Sequence, residues 1–171
     1  MAEPIHPIQA AFESVVHEFK KDPKNDEIYA KAIQATTIDQ VYAETDELQA
    51  EQSKHGHLRH LSKIKPYLTG LEDYTQAIEV FIQAKPDVLA LIWGPIVLLL
   101  RWASARKASF DAIVDSMAEI GLALSGFKQA FLLFRENDHI GDILLLFFRD
   151  IVEFHSMALR FFRHPRQFSS Q

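Results

Sequence analysis

Three histidines, His55, His57 and His60, fall within the six residues HGHLRH, and imidazoles so close together are candidate zinc ligands. His57 and His60 could share one face of a helix. Zinc sites of this kind draw on an HExxH pattern or on cysteine thiolates, and the chain has neither. The trio therefore reads as a solvated cluster beside a helix break at Gly56. A second outline of chemistry is Gly121-Leu-Ala-Leu-Ser-Gly126-Phe-Lys128. A phosphate loop needs its last glycine directly before the lysine, and a hydroxyl directly after it to hold magnesium. Here Phe127 intervenes and Gln129 follows. Ser125 lacks the glycine spacing of a nucleophile elbow. The acid pairs Asp46-Glu47 and Glu72-Asp73 are adjacent, so on a helix they point in different directions. His155 sits beside the apolar face of the last helix, where a hydrogen-bonded histidine at the edge of the core is expected. With no recognisable nucleophile, metal site or cofactor loop, the expectation is a non-enzyme with no metal, no cofactor and no small-molecule substrate.

Residues of these types must be positioned by a domain of modest size. The chain has 171 residues, 48% hydrophobic and 24% charged, which suits one globular domain with a sizeable core. Its net charge of −5 provides no electrostatic footprint for nucleic acid. It contains no cysteine, so disulfides and thiolate chemistry are excluded. The opening MAEPIHPIQAAFESVV carries an acid and prolines where an export signal has a basic and then an apolar region. A cytoplasmic location is expected. The uncharged run Val88 to Leu100 contains Pro95 and spans thirteen residues, short of the roughly 18–20 that cross a bilayer. It reads as a buried core helix.

Strand-like alternation is absent, and the fold class expected is all-α, a single-domain bundle of five or six helices over residues 1–165 with 166–171 as a tail or linker start. The first helix runs from about Pro7 to Lys21, with Ile8, Phe12, Val15, Val16 and Phe19 on one stripe. A second, thinly apolar helix extends from Asp26 to about Lys54. A third, from Leu58 onward, is interrupted near Pro66, where the ring removes a backbone donor and a kink or a restart is expected. Pro86 opens the fourth, which reaches about Arg106 and is apolar on nearly all sides, so it belongs at the centre. Ser109 is the expected N-cap of a fifth helix ending at Arg135. Its stripe, Phe110, Ile113, Met117, Ile120, Leu124, Phe127, Phe131 and Phe134, steps alternately by three and four and should face a neighbour. Gly121 and Gly126 are expected to mark close packing against another helix. In the last helix Ile143, Phe147, Ile151, Phe154, Ala158 and Phe161 form one apolar row, and Leu144, Phe148, Val152, Leu159 and Phe162 broaden it. Arg149, Glu153, Ser156, Arg160 and Arg163 lie opposite.

Charge is unevenly distributed. Residues 1–56 hold 11 acids and 5 bases, and residues 57–171 hold 12 acids and 13 bases. At the C-terminal end Arg160, Arg163, His164 and Arg166 alternate with Phe161, Phe162 and Phe168, a mixture that suits anionic lipid or an acidic partner. The simpler role of these cations is to cap the helix C-terminus, where they meet the negative end of its dipole. Arg160, Arg163, Arg166 and Phe168 are accordingly the expected membrane or partner contacts, with membrane attraction weak because few charges are present.

The run Lys85-PDVLALIWGPIVLLLRWAS-Ala105, taken with GDILLLFFRDIVEFHSMALRFFRHP from Gly141 to Pro165, resembles an N-terminal domain of unknown function on fungal NACHT and ankyrin-repeat receptors of the STAND class. The similarity extends more loosely over Leu58 to Ala84, through Pro66, Leu71 and Tyr74, and leaves out the acidic first third. Trp93, Gly94, Pro95, Trp102, Phe154, His155, Phe161 and Phe162 carry the pattern and are expected to be mainly core. The resemblance implies the effector of an NLR-like innate-immune receptor, excised from a longer protein. Such an effector signals through protein contacts, homotypic ones included, when its receptor clusters, and is recruited to membranes or leads to programmed cell death. Fungal effector domains of the HeLo kind are similar in architecture only, and Met1 to Phe19 shows no glycine-zipper segment of their sort. The alternative is a structural docking module for one constant protein partner.

Overall fold

The computed structural model describes residues 7–54, 61–82, 85–104 and 107–163. Among these residues there are eight α-helices, two short 3-10 turns and no strand. Helix α1 is Pro7–Lys21, α2 Asp26–Ala32, α3 Ile38–Lys54, α4 Lys65–Phe81, α5 Pro86–Ser104, α6 Lys107–Leu124, α7 Phe127–Phe134 and α8 Ile140–Arg163. The all-α class stands, and the count exceeds five or six because two expected helices are each divided.

The first division follows Ala32. Thr37 and Gln40 form a capping box, in which the Gln40 side-chain oxygen accepts from the Thr37 amide at 3.1 Å and the Gln40 amide donates to the Thr37 hydroxyl at 3.4 Å. This arrangement satisfies amides that the first turn leaves open, so a new helix starts at Ile38. The second division is at Ser125-Gly126, where the Ser125 hydroxyl donates to the Leu122 carbonyl at 2.7 Å and closes α6. Helix α6 begins at Lys107, so Ser109 lies inside it and is not its N-cap. Pro66 sits in the first turn of α4, a position that needs no amide donor, and the expected interruption is a helix start.

Helix α5 is the axis of the bundle. Every residue from Ala90 to Leu100 is buried, and the helix packs against α1, α2, α3, α6 and α8. Gly94 permits the closest of these approaches. A Cβ there would stand 2.6 Å from the Ala32 Cα and overlap the Ala32 carbonyl, so α2 crosses α5 at a point where any side chain would separate them. Farther along α5, Arg101 Nε and Nη2 donate to the two oxygens of Glu44 on α3 at 2.8 and 2.9 Å. The first and last described helices also meet, with the rings of Phe12 and Phe148 stacked at 5.1 Å. The Asn25 amide, buried, donates to the Phe19 carbonyl at 3.0 Å and closes the end of α1.

Helix α4 packs against α6 and α7. Gly121 lies so tightly on the start of α4 that a Cβ would meet the Tyr67 amide and stand 2.7 Å from the Pro66 carbonyl carbon. Close packing accounts for Gly121 as expected. It does not account for Gly126, around which a Cβ would meet nothing within 4 Å.

Candidate functional site

Helices α6 and α8 pack on α4 and α5 rather than on each other. Two separate apolar hollows, with no lining residue in common, open beside them. The larger hollow, about 520 Å³, is walled by α6, α7 and α8, with Ala123, Phe127, Phe131, Phe134, Ile143 and Phe147 around it. The smaller, about 260 Å³, is formed by α6 and α8, with Ala112, Ser116, Phe154, Met157 and Phe161 at its edge. The floor of the first is rigid aromatic packing, since Phe127 meets Tyr74, Phe131 and Phe147 at ring separations of 5.7, 6.3 and 5.4 Å. The Tyr74 hydroxyl below donates to the Leu144 carbonyl at 2.6 Å, fixing α4 to α8.

Phe134 at the larger hollow and Met157 at the smaller are exposed to solvent, as are other large apolar side chains of α6, α7 and α8. Leu133 is 80% exposed, Leu146 61% and Met157 62%, and Leu122, Leu132 and Phe134 are also more than half exposed. Three sequence expectations are corrected here. Phe134 is not part of the buried seam, because α7 is only eight residues long and can press one narrow face, that of Phe127 and Phe131, on α4. In α8 the wide face expected to be buried is divided, and of its first row only Ile151 is buried. Leu144, Phe148, Val152, Leu159 and Phe162 are buried, while Ile143, Phe147, Phe154, Ala158 and Phe161 are half-buried or exposed and line the hollows. Ser156, expected on the wet face, is buried with its hydroxyl donating to the Val152 carbonyl at 2.7 Å.

His155 points the other way, into the core, and is completely buried. Its Nε2 is 2.7 Å from the Tyr67 hydroxyl. Burial pushes the imidazole pKa down to about 4, opposed by the nearby Leu91 carbonyl, and burial likewise raises that of the Tyr67 phenol. Nδ1 has no hydrogen-bond partner of its own, so the Leu91 carbonyl favours the protonated ring without reaching bonding geometry. That carbonyl would ordinarily accept from the amide four residues on, and Pro95 has none to give. The neutral ring is thus held by one phenol in an apolar surrounding.

The remaining expected site residues are dispersed. Trp93 and Pro95 are buried in α5 with Gly94. Trp102 is half-buried beneath the Lys31 ammonium, 5.4 Å from its ring centroid. Arg160 reaches Asp22 and Asn25, each at 3.4 Å, tying α8 to the end of α1. Phe161 is 43% exposed, edge-on to buried Phe162 at 5.3 Å. Arg163 ends α8, its side chain outside the described residues, and Arg166, Phe168 and the histidines at 55, 57 and 60 also lie outside them. Among the described residues no three His, Asp or Glu side chains converge as they would on a metal ion.

The run read from sequence as the nearest to a bilayer span, Val88 to Leu100, is core. The segment Asp111–Phe134 is long and apolar enough to cross a membrane by length and composition, with a mean hydropathy of 1.3, and 22% of its apolar window is buried. The sequence signal for the exposed apolar side chains is Phe131-Leu132-Leu133-Phe134, four large apolar residues on consecutive helix positions. No single helix face can bury all four.

The fold is that of an all-helical domain with two apolar hollows among its outer helices. The chain belongs to the DUF7708 family, described as a domain of unknown function, whose profile matches residues 62–169. No curated protein and no solved structure matches the chain.

Proposed function

We propose that this chain is a non-enzymatic interaction domain that acts as the N-terminal effector of a fungal NLR-like receptor of the STAND class, in the cytoplasm. It signals by protein contact when its receptor clusters, with programmed cell death as an outcome. The receptor context rests on the resemblance of Lys85 to Ala105 and Gly141 to Pro165. The observation that supports the interaction reading is the number of large apolar side chains that α7 and α8 leave in solvent, Leu133 and Leu146 foremost. Weak contacts through such side chains gain strength when copies are brought together, because effective concentration multiplies them.

Fusing the domain to an inducible oligomeriser in fungal cells tests this reading. Clustering should reduce viability, and Leu133→Asp with Leu146→Asp should abolish the effect while leaving the circular dichroism spectrum unchanged. A structural docking module for a constant partner would leave the cells unaffected.

A second reading, membrane recruitment, is favoured by the length and exposure of Asp111–Phe134 and by the cations at Arg160, Arg163 and Arg166. Reversing those three arginines to Glu and sedimenting the oligomerised domain with acidic liposomes checks it. Equal sedimentation of both proteins, or none by either, retires the role of that end.

A further inference from the structure

We infer that α3 is a strap that lifts off α5 while the other helices stay folded, giving the domain a closed and an open state that differ in one face of α5. That face follows from the line along which the chain lies. Ala32 meets Gly94, and farther along Glu44 meets Arg101. Gly94 and Arg101 are about two turns apart on one side of α5. Val97 and Leu98, both buried, fall between them. Lifting α3 bares this side. The family profile, which starts at residue 62, contains α5 and omits α3.

The first argument is how little apolar surface holds α3 down. Its principal neighbour is α5. Helix α4, which like α3 has 17 residues, buries Tyr67, Leu68, Leu71, Tyr74 and Ile78. Among the described side chains of α3 the buried ones are Val41, Glu44, Thr45 and Leu48, only two of them large and apolar. Ile38 and Tyr42 are half-buried. An element with so few buried apolar contacts opens at a lower free energy than the core does. It also moves as a unit, because the Thr37–Gln40 capping box starts α3 afresh while α2 stays pressed on Gly94.

The second argument is charge. From Ile38 to Glu51 the charged residues are Asp39, Glu44, Asp46, Glu47 and Glu51, with no base among them. Glu47 and Glu51 are one turn apart and repel each other along the helix. The counter-charge comes from α5, where Arg101 donates to both oxygens of Glu44 at 2.8 and 2.9 Å and attracts Glu47 as well. The strap is thus fastened at one point on α5, and a charge reversal at Glu44 unfastens it.

The chain has no cysteine, so a single introduced thiol reports the motion. Leu98→Cys places it under the strap. Leu99→Cys places it at an equally buried site, turned about 100° away around α5. In native buffer N-ethylmaleimide should label Leu98→Cys at least about tenfold faster than Leu99→Cys. Adding Glu44→Lys should speed the first at least about tenfold and leave the second within about twofold. Hydrogen exchange on the unaltered chain is the independent measurement. Relative to unstructured rates, the amides of residues 41–48 should exchange at least about tenfold faster than those of residues 96–100.

Equal labelling of the two thiols, or an effect of Glu44→Lys of the same size on both, overturns the inference, because α3 then opens only with the whole domain. Exchange in α3 as slow as in α5 overturns it too. If Glu44→Lys does not fold, the exchange of the unaltered chain decides alone.

Discussion

Gly94 lies against Ala32 so closely that a Cβ on residue 94 would stand 2.6 Å from the Ala32 Cα and intrude on its carbonyl oxygen. The obstacle is backbone on both sides, so no rotamer change can relieve it. Gly94→Ala must push α2 away from α5 and should cost about 2–4 kcal/mol in urea unfolding, at the upper end of overpacking penalties. Gly126→Ala is the contrasting case, with open space around it and φ −92°. It should leave stability unchanged or raise it by about 0.5–1 kcal/mol.

His155 makes the fold sensitive to acid. Its folded pKa of about 4 lies below the ordinary 6.5, so between those values the unfolded chain holds a proton that the folded chain does not. Stability conferred by the neutral ring is complete above pH 6.5 and is lost as pH falls toward 4, by on the order of 3 kcal/mol. His155→Gln, neutral throughout, should be less stable at pH 7 and show a flatter decline. Parallel pH profiles for the two proteins would contradict this.

The Glu44 carboxylate is buried while its partner Arg101 is half in solvent. Contact with Glu44 raises the Arg101 pKa, so the guanidinium stays charged. Arg101→Ala strands a buried acid and should cost about 1–3 kcal/mol. Glu44→Gln in the same chain should recover part of that loss, as a double-mutant cycle by chemical denaturation would show.

The family match begins at residue 62, yet Ala32 and Glu44 lie before it and close one side of α5. A fragment of residues 62–171 would expose the face of α5 that α1, α2 and α3 cover. It should aggregate or melt without a cooperative transition, whereas the full chain melts cooperatively. Calorimetry on both distinguishes these outcomes.

Much of this fold is written in short-range signals. Pro7 with the stripe Ile8 to Phe19 delimits α1, and Pro86 with an all-round apolar run marks α5 as the axis. The divisions within the longer helices depend on side-chain competition for the backbone. Thr37-Ile-Asp-Gln40 is a capping box that was readable in sequence, but it lies inside an unbroken helical period and the period dominates. Which apolar face stays open depends on something a period cannot contain. Periodicity shows that Ile143, Phe147, Phe154 and Phe161 share a face, and that Leu144, Phe148, Val152 and Leu159 share another. It does not say which face finds a neighbour, because that is decided by how far apart α4 and α5 hold α6 and α8.

The stacking of Phe12 on Phe148 has a consequence for how the chain is made. Their partnership spans most of the sequence, so α1 leaves the ribosome long before the surface it needs. Until α8 follows, the ring of Phe12 and the flank of α5 have no cover, and the nascent domain must wait half-built or be sheltered by a chaperone. Contacts of such long sequence separation also slow folding relative to a bundle whose helices pair in order. Translation speed through the codons of α8 and those that follow it would then set how long that vulnerable intermediate persists.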